Sequence, residues 1–111
     1  MSYVNNVIVT FSVSEEEREV IKAFNAALAR IVETGQGFRD MSDNHDWYGG
    51  SKCLEHHVYV AAFNYIHSDQ VSRALAAVEW KYPEDVRLFW CGQEEDAFEP
   101  VDWQAVAKEP E

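Results

Sequence analysis

The amino-acid sequence predicts an α+β fold: a ferredoxin-like (split βαβ) antiparallel sheet with two helices packed on one face. Three observations point there. Apolar side chains alternate over residues 4–13, short apolar runs bounded by polar residues cover 53–66 and 86–91, as in strands, and apolar residues recur every three or four positions after Ser14 and after Ser68, the period of helices. These patterns follow one another as strand, helix, short strand, strand, helix, strand. At 111 residues, with 47% hydrophobic and 14% aromatic content, the chain has the size of one domain and enough apolar side chains to bury a core. The alternative is a three- or four-stranded α+β sandwich with another strand order. Residues 1–103 are expected to form the domain and 104–111 a short acidic tail, either a frayed helical turn or disordered.

In the first strand Val7, Val9, Phe11 and Val13 alternate with Asn6, Ile8, Thr10 and Ser12, so one face is apolar. Ser14 is the expected N-cap of the first helix, with Glu17 completing a capping box. Glu15, Glu16 and Glu17 suit the positive end of the helix dipole. Val20, Ile21, Phe24, Leu28, Ile31 and Val32 form the apolar stripe, and Gly35 is the expected C-cap. A short strand at 38–41 and a long loop with a Gly49-Gly50 turn follow. The strand over 53–66 is apolar on both faces, Val58, Val60, Ala62 and Ile66 against His57, Tyr59, Ala61, Phe63 and Tyr65, as in a central strand. Ser68 is expected to cap a helix over 69–79, buried through Val71, Ala74, Leu75 and Val78. After a strand at 86–91, residues 98–103 are expected as an edge strand, where Pro100 is tolerated.

Twenty Asp and Glu against nine Lys and Arg give a formal net charge of −11. Such a field repels phosphate, which disfavours direct contact with nucleic acid or an anionic membrane and favours a protein partner with a basic surface. Met1-Ser-Tyr-Val-Asn-Asn lacks the basic region of a signal peptide, and no apolar run reaches the length of a membrane span. A cytoplasmic protein is expected, with Cys53 and Cys91 reduced, although both fall in predicted strands and a bridge between them is the alternative.

No motif identifies a reaction. His45, His56, His57 and His67 with Asp40, Asp43, Asp46 and Cys53 supply the right atoms for a metal, but His56 and His57 are adjacent on a strand and point to opposite faces. Asp43-Asn-His-Asp46 lacks the ligand pattern of an EF-hand loop. No metal, cofactor or catalytic residue is therefore assigned. Cys–His pairs exist in composition only, and Gly35-Gln-Gly37 follows a helix instead of preceding one, unlike a phosphate cradle.

Two surfaces stand out. Glu94, Glu95, Asp96, Glu99 and Asp102 crowd a turn and edge strand, interleaved with Phe98 and Trp103. Carboxylates in place of phosphates, with aromatic anchors, suit the grip on a basic cleft. The second is a sheet face with Tyr59, Phe63 and Tyr65, joined by His57 and Phe89, expected to be covered by a second copy in a homodimer or by the chain itself. The expected function is a small acidic, non-enzymatic binding protein that occludes a basic, nucleic-acid-binding protein surface, as nuclease inhibitors, toxin-immunity proteins and phage anti-defence or anti-CRISPR proteins do. The alternative is a ferredoxin-like dimeric enzyme or small-ligand-binding protein, its pocket between sheet and helices lined by His57, Tyr59 and Trp90.

Overall fold

A computed structural model describes residues 4–32, 39–40 and 56–109, the pair 39–40 through the backbone alone. The elements run β1 (Val4–Ser12), α1 (Glu17–Val32), β2 (Arg39–Asp40), β3 (His56–Asn64), α2 (Ser68–Ala76), a 3-10 turn (Pro83–Asp85), β4 (Arg87–Gly92), β5 (Glu99–Val101) and α3 (Trp103–Lys108). The architecture is α+β. The strands form one antiparallel sheet in the order β2-β3-β1-β4-β5.

Register decides which side of this sheet is the core. Val9 lies opposite Tyr59 on β3 and Leu88 on β4, and Val7 lies opposite Ala61 and Trp90. Odd positions of β1 and β3 therefore share a face with even positions of β4. Val7, Val9, Phe11, Tyr59, Phe63 and Leu88 are all buried there, in one cluster with Val20, Phe24, Ala27 and Leu28 of α1 and Val71, Ala74 and Leu75 of α2. Each Val, Leu or Phe side chain there contributes about 1.5–3 kcal/mol by leaving water. On the opposite face Ile8, Val58, Val60 and Phe89 are half-buried.

This register corrects one expectation. Tyr59 is 5% exposed and Phe63 1%, so both sit under the helices and not on an open aromatic face. Only Tyr65 remains exposed, beyond the end of β3, where its φ of 59° turns the chain out of the sheet. Asn5 Nδ2 secures this exit by donating to the Ile66 carbonyl at 2.6 Å.

Helix α1 also starts later than the Ser14 cap predicts. The Ser14 amide donates to Ser12 Oγ at 3.1 Å, and the first helical bond runs from the Val20 amide to the Glu16 carbonyl at 2.9 Å. The intervening turn lets Glu15 fold inward. The residue is 6% exposed, and its carboxylate accepts the amides of Lys81 at 3.0 Å and Tyr82 at 2.8 Å. Helix α2 starts one residue earlier than expected. There Gln70 Oε1 accepts the His67 amide at 2.9 Å, and Arg73 pairs with Asp69 at 2.7 Å, one turn apart. The Gly35 cap, the Gly49-Gly50 turn and Cys53 lie outside the described residues.

The chain from Trp103 to Lys108 is helical, the first of the two forms expected for this end. Asp102 accepts the Ala105 amide at 3.2 Å and caps α3, which packs on α2. Trp103 is 5% exposed, with its indole N–H donating to the Val86 carbonyl at 2.9 Å. Among the described residues no helix is long and apolar enough to cross a membrane.

Candidate functional site

The β4–β5 hairpin is built from the inside outward. At its base the Glu95 amide donates to the Gly92 carbonyl at 3.0 Å, while Glu95 Oε1 accepts the Gly92 amide at 3.1 Å. The buried Cys91 thiol approaches the Glu95 carbonyl at 3.5 Å, and Gln93 Oε1 accepts the Val4 amide at 2.8 Å, tying the hairpin to β1. A Cβ on Gly92 would lie 2.6 Å from Glu95 Oε1, so glycine is what allows the carboxylate to reach the backbone.

Glu94, Asp96, Phe98 and Glu99 are exposed on this hairpin, Phe98 to 43%. Residues 88–107 contain no Lys or Arg. Among the described residues Glu94, Asp96 and Glu99 form no ion pair, so no cation described there offsets their mutual repulsion.

The remaining residues expected in this patch have other duties. Glu95 is exposed but braces the turn, and Asp102 caps α3. Trp103 is a core residue and cannot anchor a partner; the pattern at 98–103 resembled an edge strand with an exposed end, and it is the helix starting at Trp103 that turns the indole inward.

A second constellation joins α1 to β3. Glu17 Oε2 accepts the Tyr59 hydroxyl and lies 3.3 Å from His57 Nδ1. Phe11 stacks on Tyr59 with centroids 5.6 Å apart, and its ring lies 5.2 Å from those of both His57 and Trp80. A carboxylate in this position orients the imidazole. Among the described residues no hydroxyl or thiol hydrogen-bonds to His57. The sequence groups His57 with Tyr59 but not with Glu17, which reads there as ordinary first-turn charge.

His56 and His67 are exposed, His56 on the face opposite His57. His45, Asp43, Asp46 and Cys53 lie outside the described residues, as does the side chain of Asp40. Among the described residues no three His, Cys, Asp or Glu side chains are grouped to hold a metal.

No protein-family model matches the chain, and neither curated proteins nor solved structures include a significant match.

Proposed function

We infer that this is a small acidic, non-enzymatic binding protein that occludes the basic surface of another protein, one shaped to hold nucleic acid. An inhibitor of the toxin-immunity or phage anti-defence type fits that description. The observation that carries the reading is Phe98, an exposed ring among Glu94, Asp96 and Glu99 on a braced hairpin with no basic residue near it in sequence. Preorganised carboxylates steer a cationic partner into contact, and a desolvated ring supplies the affinity that exposed charge alone does not. The ferredoxin-like assignment of the sheet belongs to the same proposal, supported by the β2-β3-β1-β4 order with helices after β1 and β3.

The test is affinity capture from host lysate at low and high salt, followed by assay of any captured nucleic-acid enzyme with added protein. A basic enzyme should be held at low salt, released at high salt and inhibited stoichiometrically. The Glu94→Lys/Asp96→Lys/Phe98→Ala variant should neither hold nor inhibit it. Capture without inhibition, or equal inhibition by the variant, refutes the proposal.

A second reading, a small-ligand-binding protein or enzyme, is favoured by the Glu17–His57–Tyr59 cluster. A thermal shift with a metabolite library that disappears in His57→Ala would support it.

A further inference from the structure

A groove between the end of α2, the connection at 78–83 and α3 plays no part in either reading. It encloses about 500 Å³, within the range of small-ligand sites. Trp80 and Trp103 form its aromatic wall. Both indole N–H groups are already committed, Trp80 to the Leu75 carbonyl at 2.8 Å and Trp103 to the Val86 carbonyl at 2.9 Å. The rings are thereby fixed in orientation and present carbon surface, not donors, to an occupant. Trp103 is almost wholly buried, so the half-buried Trp80 supplies the accessible ring. Ala76 and Ala107 are small, which is why the space exists.

Two charged groups border the groove, Glu79 and Lys108. Glu79 also borders an adjoining cavity of about 440 Å³ whose lining adds Glu15, Glu16 and Glu19. Lys81 on that side is already paired with Glu16 at 3.4 Å. Negative charge therefore prevails at the α2 end of the groove, and Lys108 faces it alone from α3.

We propose that this groove binds a small organic ammonium ion with a compact apolar body, its charge held between the Trp80 ring and the Glu79 carboxylate. An indole face attracts a cation through its quadrupole, more strongly as water is excluded. The carboxylate adds direct Coulomb attraction. The net charge of −11 enriches cations around the protein and depletes anions. A neutral molecule of the same shape gains burial alone, and an anion gains only Lys108 against the surrounding field.

The probes are three near-isosteres: choline, 3,3-dimethylbutan-1-ol and 3,3-dimethylbutanoate. The readout is the indole N–H resonance of each of the four tryptophans in the full-length protein, assigned through single Trp→Phe variants. Choline should shift the Trp80 resonance saturably, and the alcohol should bind at least about fivefold more weakly, as the loss of a cation–π contact implies. The butanoate should leave the resonance in place. Glu79→Gln, at an exposed position, should weaken choline about fivefold with an unchanged thermal midpoint. Ala107→Leu, which fills the groove and suits a helix, should abolish binding. Equal binding of choline and alcohol, tighter binding of the butanoate, or no saturation with choline would each overturn the proposal.

Discussion

The Tyr59 hydroxyl, in the middle of β3, donates to Glu17 in the first turn of α1, and the same carboxylate oxygen faces His57. One polar contact thus pins the start of the long helix to the sheet beneath it. Tyr59→Phe keeps the stack on Phe11 and removes this bond. It should cost about 1–2 kcal/mol, the worth of a hydrogen bond to a charged group. Urea denaturation should show a lower midpoint at constant slope; an unchanged midpoint would mean that the contact holds nothing in place.

Glu15 makes a stronger prediction, because its carboxylate satisfies two backbone amides from a place almost sealed from water. Glu15→Ala leaves the Lys81 and Tyr82 amides without their acceptor, a loss of about 2–3 kcal/mol. Hydrogen exchange should accelerate at those two amides beyond any global effect. Uniform acceleration would show that the carboxylate is not a local tether.

At the hairpin base, Gly92→Ala should displace the Glu95 carboxylate from the Gly92 amide and cost about 1 kcal/mol. In a Glu95→Ala background the same change should be close to neutral. The double-mutant cycle measures the coupling, and additive costs would contradict it.

Ser72 on α2 is fully buried, and its hydroxyl has no hydrogen-bond partner among the described residues. Burying such a group opposes folding, so Ser72→Ala should be neutral or stabilising by up to about 1 kcal/mol. A clear fall in the thermal midpoint would reveal a partner for the hydroxyl.

Much of this fold is legible in the sequence because two patterns have a single solution. Val7, Val9 and Phe11 leave only one apolar face for β1, and Val20, Phe24 and Leu28 leave one stripe for α1. The sequence of β3 has no such bias, since both faces are apolar. Its orientation is set instead by pairing Val9 with Tyr59, a relation between strands that periodicity within one strand does not contain. Trp103 went astray for a related reason: an indole beside acidic residues looks like an anchor until the Val86 carbonyl claims its N–H. Glu15 and Glu17 were hidden by their company. Six of the seven residues at 14–20 are polar, four of them Glu, and composition alone does not tell which carboxylate turns inward. The exposure of the hairpin acids is legible, because nothing nearby in sequence neutralises them.

The central strand has a consequence for how the chain is made. β1 pairs on one side with β3 and on the other with β4, whose last residue is Gly92. β1 is thus completed only by β4, which follows α2 in the chain. Until then Val7, Val9 and Phe11 have only partial cover, and folding must close long loops before those contacts repay their entropy. Nascent chains ending before β4 should therefore remain unfolded, protected from association by their excess of acidic side chains.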